Sequence, residues 1–319
     1  MVVPATTAIQ QTSSEIYQNL IPNCLYQSHA ISDTRVYGGR FTQKGNMYYC
    51  SSQSEIVLFN TQDPYKWNKL SQIDAQNIHW TVTDMDVDVN EQYLIYSSIS
   101  PTVHLVDLET LCKKHERLTF ATNDEDHGYY GGPSLMSIKF SGDSREVLGG
   151  AKSGQILIYD MMQNRVTTRV MGAHADEINS VCWANRETSN LLYTGSDDCF
   201  VKVWDRRALG TSSRPAGVFI GHQEGVTNVA SKGDGLYLAS NGKDQLLKVW
   251  DIRKMVDYGT FRNCAPLRQA PGFDYRMREY PYARKQTKHP QDHSVFTFSG
   301  HEVLSTLIRC QFSPIETTG

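Results

Sequence analysis

No run in this 319-residue chain approaches the roughly 20 consecutive apolar residues of a membrane-spanning helix. The opening, Met1-Val2-Val3-Pro4-Ala5-Thr6-Thr7, has no basic stretch followed by an apolar one, which argues against a secretory signal. Charge of one sign is also lacking. Lys and Arg number 31 against 34 Asp and Glu, a net of −3, so no global field points to nucleic acid or an anionic membrane. The seven cysteines are odd in number and contain no Cys-x-x-Cys pair, against a disulfide framework or a structural zinc. A reducing compartment fits this usage, and the expected location is nucleus and cytoplasm. No glycine-rich phosphate loop precedes a helix, no Gly-x-Ser-x-Gly elbow occurs, and no cofactor is expected.

What the chain does have is repetition. Trp204-Asp205-Arg206-Arg207 and Trp250-Asp251-Ile252-Arg253 each close an alternating, strand-like run. Each follows a small residue and a histidine, Ala173-His174 and Gly221-His222, by about thirty residues. Three weaker endings extend the series, Phe59-Asn60, Val106-Asp107 and Tyr159-Asp160. Successive spacings are 47, 53, 45 and 46 residues. A period near 45 with His, Asp and Trp-Asp in each unit marks a WD40 β-propeller, an all-β architecture.

Inner strands are predicted at Val36–Phe41, Val82–Val87, Leu135–Phe140, Ile178–Trp183 and Val226–Ala230. Middle strands are predicted at Tyr48–Ser51, Tyr93–Ser97, Glu146–Gly149, Leu191–Thr194 and Tyr237–Ser240. A sixth unit begins at Gly300-His301, and Leu307–Pro314 reads as its inner strand, with no Trp-Asp after it. Rings of this class usually have seven blades. The chain therefore reads as a fragment, a shortened isoform or the product of a truncated gene model, with about five blades plus the first strand of a sixth. Residues 1–28 read as a polar tail with a short helix near Ser14–Leu20. Residues 29–319 read as the incomplete propeller, with a long insertion at 256–298 between units five and six.

Two sets of residues fall where a buried polar network is expected: His174, Thr194, Asp198 and Trp204, then His222, Ser240, Asp244 and Trp250. Each Asp would accept from its His, the His would meet the hydroxyl, and the hydroxyl would meet the indole N–H. The same chemistry serves a hydrolytic triad, but a nucleophile must be accessible to substrate. A structural role is the expected one. Units one to three hold Gln53, Ser100 and Ser153 at the turn-Asp position and must depend more on apolar packing.

Arg207 and Arg253 are not required by the fold. They follow the third strand at equivalent places, so both should face one rim. There a guanidinium fork, beside Asp205 or Asp251, either pairs with that local Asp or meets a partner's carboxylates or carbonyls. A Trp-Asp-x-Arg ending resembles the signature of substrate receptors of cullin-4 ubiquitin ligases. The wider resemblance is to the WD repeat-containing protein 23 group, also called cullin-4-associated factor eleven, with LEC14B-type relatives. It is carried by Arg145–Ala151, Lys202–Arg207, Gly221–Thr227, Ser231–Asp234, Thr306–Cys310 and Phe312–Ile315. It runs from about Leu20 to Gly319 and is strongest after residue 134. Residues 1–19 do not share it, and the group continues past the point where this chain stops. The resemblance implies a non-catalytic scaffold. Arg207 and Arg253, with Asp205 and Asp251, would dock the adaptor damage-specific DNA-binding protein 1, and through it cullin-4. A protein substrate would be held elsewhere for ubiquitination.

A second reading is a general interaction scaffold binding RNA or an acidic partner through the insertion. There Arg262, Arg268, Arg276, Arg278, Arg284, Lys285 and Lys288 interleave with Tyr275, Tyr280 and Tyr282. Against it stands a tethered loop that packs its tyrosines on the propeller. His289, Asp292 and His293 lack a completing ligand nearby, so no metal is expected. Asp124-Glu125-Asp126-His127 reads as a solvated turn.

Overall fold

The computed structural model describes residues 25, 27–31, 34–63, 65–110, 114–121, 132–185, 188–209, 214–282 and 287–313. The predicted helix near Ser14–Leu20, the Asp124–His127 turn, Arg284, Lys285 and residues 314–319 lie outside these. Five four-stranded antiparallel sheets form a five-bladed β-propeller. Blade one comprises β1 (Gly38–Phe41), β2 (Met47–Ser51), β3 (Glu55–Asn60) and β4 (Asn68–Asp74). Blade two comprises β5 (Asp84–Val87), β6 (Tyr93–Ser97), β7 (Thr102–Asp107) and β8 (His115–Thr119). Blade three comprises β9 (Leu135–Phe140), β10 (Glu146–Ala151), β11 (Ile156–Asp160) and β12 (Arg165–Val170). Blade four comprises β13 (Ile178–Trp183), β14 (Leu191–Ser196), β15 (Val201–Asp205) and β16 (Gly217–Phe219). Blade five comprises β17 (Val226–Ser231), β18 (Tyr237–Gly242), β19 (Leu246–Asp251) and β20 (Phe296–Ser299).

A blade has two apolar faces and buries them only against its neighbours. The four largest hydrophobic clusters accordingly lie between blades. Ile56 and Leu58 meet Met85 and Leu94, Ile95 and Val103 meet Leu135 and Ile138, and Leu148 and Ile158 meet Val181 and Trp204. Small residues let the sheets approach. A Cβ on Gly195 would sit 2.6 Å from Val226 Cγ1, inside contact distance.

Inner strands have a ladder partner on one side only, so their free backbone groups need side chains. One position in the inner strands of blades two to five supplies them, Gly38 standing there in blade one. Asp84 accepts from Ile138 N at 3.0 Å, Ser137 Oγ from Val181 N at 3.1 Å, and Ser180 Oγ from Val229 N at 3.0 Å. Asn228 Nδ2 then donates to Cys310 O at 3.0 Å. A second position repeats likewise: Thr83 Oγ1 to Leu135 O, Asn179 Nδ2 to Val226 O, and Thr227 Oγ1 to Ile308 O.

This corrects the sixth-strand expectation. Leu307–Ser313 forms no strand, and among the described residues no strand pairs with it. Its backbone nonetheless takes the place beside blade five that each inner strand takes beside the blade before it. From there Arg309 crosses the channel, donating through Nη1 to Asp84 and through Nη2 to Thr83 O at 2.6 Å. The segment links blade five to blade two.

Asp84 is the hub of that link. Its fully buried carboxylate also takes Ser137 Oγ at 2.7 Å and Lys139 Nζ. Burial alone would raise its pKa. The charges of Arg309, Lys139 and Arg40 more than reverse this and hold it well below the carboxylate range. Asp84→Ala would leave the buried Lys139 and the half-buried Arg309 without the carboxylate that both bind. Urea unfolding should show a loss of about 3–5 kcal/mol; a loss below about 1 kcal/mol would contradict the role of hub.

Candidate functional site

Within each blade the chain runs strand one to strand four in order, each antiparallel to the last. The links between strands three and four therefore lie on one rim, and the links between blades on the other. Arg207 and Arg253 sit on the first rim, in short 3₁₀ turns at Arg206–Ala208 and Ile252–Lys254.

Both turns are built alike. Asp205 Oδ1 accepts from Arg207 N at 3.0 Å, and Asp251 Oδ1 from Arg253 N at 3.0 Å, capping each turn. The same carboxylates then take the guanidinium side-on. Nε meets Oδ1 at 2.9 Å and Nη2 meets Oδ2 at 2.7 Å in both copies. The Arg253 hydrogen bonds hold Asp251 down at about 2, and those of Arg207 likewise lower Asp205. Each guanidinium has spent two of its five N–H groups on its own Asp. Arg253 Nη2 also reaches Tyr237 Oη at 3.5 Å, and the remaining donors sit on side chains 73% and 63% exposed. The two alternatives raised by the sequence are thus compatible, since the local Asp orients a fork whose far edge stays open.

The structure also brings both four-residue sets together. His174 Nδ1 meets Asp198 Oδ2 at 2.8 Å and Nε2 meets Thr194 Oγ1 at 2.7 Å, while Trp204 Nε1 donates to that Oγ1 at 2.9 Å. His222 Nδ1 meets Asp244 Oδ2 at 3.0 Å and Nε2 meets Ser240 Oγ at 2.7 Å, with Trp250 Nε1 donating to Oγ at 2.7 Å. One proton arrangement satisfies every atom. The indole donates to the hydroxyl, the hydroxyl to Nε2, and Nδ1–H to the carboxylate, with a neutral imidazole. Burial pushes His174 down, toward that neutral form. All eight side chains are buried, so neither hydroxyl is open to a substrate.

The long connection expected after the fifth unit runs inside it, because Phe296–Ser299 is blade five's own outer strand. Sequence reasoning missed this since outer strands carry no signature residues. The connection leaves the arginine rim and exchanges two 2.8 Å backbone bonds between Val256 and Val218. It packs Phe261 on Phe200 and crosses to the other rim. There Arg268 Nη2 donates to Asp197 O at 2.6 Å and Ala270 N to Glu224 Oε1 at 2.7 Å. Lys243 stands 5.1 Å over the Tyr275 ring.

The basic–aromatic reading of this strap is corrected in part. Tyr275 and Tyr280 are buried and offer no stacking face, and Arg276 is paired with Asp274 at 2.8 Å. Of the residues weighed as metal ligands, Asp292 receives Lys248 Nζ at 2.6 Å and His289 Nδ1 accepts from Gln291 N. Sequence reasoning also missed Arg206, which ties its blade to Glu146 of blade three.

The comparisons agree with this geometry. The family model "WD domain, G-beta repeat" matches residues 165–205 and 213–251, each match closing on the Trp-Asp that ends a blade's third strand. The chain is a WD40-repeat propeller. It is 40% identical over 297 residues to the LEC14B protein of Lithospermum erythrorhizon and 38% identical to a LEC14B homolog of Prunus armeniaca. Each match covers 90% of this chain and 60% of the relative. It is 31% identical to a "DDB1- and CUL4-associated factor 11 homolog" of Caenorhabditis elegans, over 97% of this chain and 54% of that protein. The WD40 chain thus spans between half and two thirds of the length of these relatives.

Two predictions follow from the buried sets and from blade two. Thr194→Val keeps the shape but strands Trp204 Nε1 and His174 Nε2, and should cost about 1–3 kcal/mol in denaturant unfolding. An unchanged midpoint would show that the network is not stabilising. His104, stacked on Tyr96 at 5.0 Å, is pushed down to about 4 by burial, with His115 and Arg117 adding to it. Its folded value lies below the ordinary 6.5, so the unfolded chain binds the proton first. Its contribution is full above 6.5 and falls as pH drops toward 4, and His174 acts in the same sense. The thermal midpoint should therefore be flat above about pH 7 and decline below about 6.5, less steeply in His104→Gln.

Proposed function

We propose that this propeller is a non-catalytic substrate receptor for a cullin-4 ubiquitin ligase. The adaptor damage-specific DNA-binding protein 1 docks on the rim that carries Arg207 and Arg253. The channel mouth and strap on the opposite rim face a protein substrate. What carries the reading is the pair of guanidiniums, each held side-on by its own Asp at the same place in adjacent blades. The names of the Caenorhabditis relatives support it. A carbonyl or carboxylate of the adaptor would meet the open edge of each fork. Strands of five or six residues put roughly 20 Å between the rims, so both partners bind at once. Location in nucleus and cytoplasm is part of the same proposal.

Arg207→Ala with Arg253→Ala should reduce adaptor recovery in a pull-down, and the double Glu exchange should abolish it. Each change falls outside the core, so circular dichroism should stay native. Full recovery by the folded double Glu protein would refute docking at this rim. Asp205→Asn with Asp251→Asn keeps both charges on the arginines but weakens their fixation. It should give an intermediate loss, about threefold to thirtyfold in affinity.

A further inference from the structure

The charges of the central channel do not cancel. Arg40, Lys139 and Arg309 bring three positive groups against Asp84 and Asp86, and they lie close enough that Asp84 feels all three. Lys139 and Arg309 are bound directly to Asp84. Arg40 is not so well placed. It reaches Asp86 Oδ1 at 3.5 Å, the one side-chain hydrogen bond it makes among the described residues, although its side chain is only 14% exposed. Most of its five donors are therefore left over in an enclosed place.

Those donors have somewhere to point. Gly38 and Arg40 lie two apart on β1 and share a face. A Cβ on Gly38 would stand 3.7 Å from Arg309 Nε, so the Arg309 guanidinium lies over Gly38, beside Arg40. The two arginines, Asp84 and Ser51 line one cavity of ≈ 250 Å³, counting its open mouth. It shares Val82, Thr83 and Arg309 with a cleft of ≈ 480 Å³, counting its open mouth, on the strap rim. Tyr37, Tyr275 and Trp80 stand around that cleft. Trp80 has φ 78° and remains 48% exposed, an unfavoured backbone conformation for so bulky a residue. Two neighbouring guanidiniums and one surplus positive charge at a cavity open to solvent call for an anion.

We propose that the cavity between Arg40 and Arg309 binds a tetrahedral oxyanion, a phosphate group held by both guanidiniums and the Ser51 hydroxyl. Inorganic phosphate and the phosphate of a phosphorylated serine share this chemistry. The site lies on the rim away from Arg207 and Arg253 and does not depend on adaptor docking.

The test is calorimetry and thermal denaturation of the full chain with inorganic phosphate, against sodium chloride of equal ionic strength. Phosphate should release binding heat and raise the melting temperature beyond the chloride control. Arg40→Gln should weaken binding about tenfold or more, with Arg40→Lys in between. Should Arg40→Gln not fold, Ser51→Ala gives the second reading, a weaker loss of the same sign. A phosphoserine peptide that competes with phosphate, where its unphosphorylated form does not, assigns the group to a peptide. Binding of free phosphate without such competition assigns it to the small ion. No heat and no shift beyond chloride would overturn the site, as would full phosphate affinity in folded Arg40→Gln.

Discussion

An inner strand of this propeller has a ladder on one side and the next blade on the other, and the backbone on that second side must still be satisfied. The rest of the structure depends on how this is done. Asp84, Ser137, Ser180 and Asn228 sit at one repeated position and reach the inner segment of the following blade. The apolar faces give the blades a reason to stack, and these bonds fix the register in which they do so. The same rule explains Ile308–Cys310. It has the contacts of an inner strand without the ladder of one, and through Arg309 it carries the series on to Asp84.

Fixing the blades fixes the rims. Because every blade runs through its four strands in the same sense, anything in the link between strands three and four recurs on one side. Arg207 and Arg253 gain their meaning from this recurrence and from Asp205 and Asp251, which hold each guanidinium in the same pose. The strap of blade five starts on that rim but spends its charged residues on the other, where Arg268 and Lys243 meet Asp197. One rim is left with open arginine edges. The other carries a lined mouth over a channel with surplus positive charge.

Much of this was legible in the sequence. The ends of all five third strands were readable because alternation at period two stops at an aromatic or apolar residue followed by Asp or Asn. The two His, hydroxyl, Asp and Trp sets were readable because their spacing repeats. The outer strands were not, since Phe296–Ser299 carries no mark that separates it from a loop, and so the strap was assigned to the wrong side of a blade boundary. The channel was hidden for a different reason. Arg40, Asp84, Lys139 and Arg309 are dispersed over most of the chain, and only ring geometry brings them together. A hint was present in Asp84 and Asp86, two acids inside Val82–Val87, a run that reads as an inner strand.

If the two rims do different work, hydrogen exchange of the chain with and without the ligase adaptor will distinguish them. Binding should slow exchange at the amides of Arg206–Leu209 and Ile252–Met255, leaving the opposite rim around Asp197, Gln223 and Lys243 unchanged. Protection confined to that opposite rim, with the two arginine turns exchanging as in the free chain, would contradict that division.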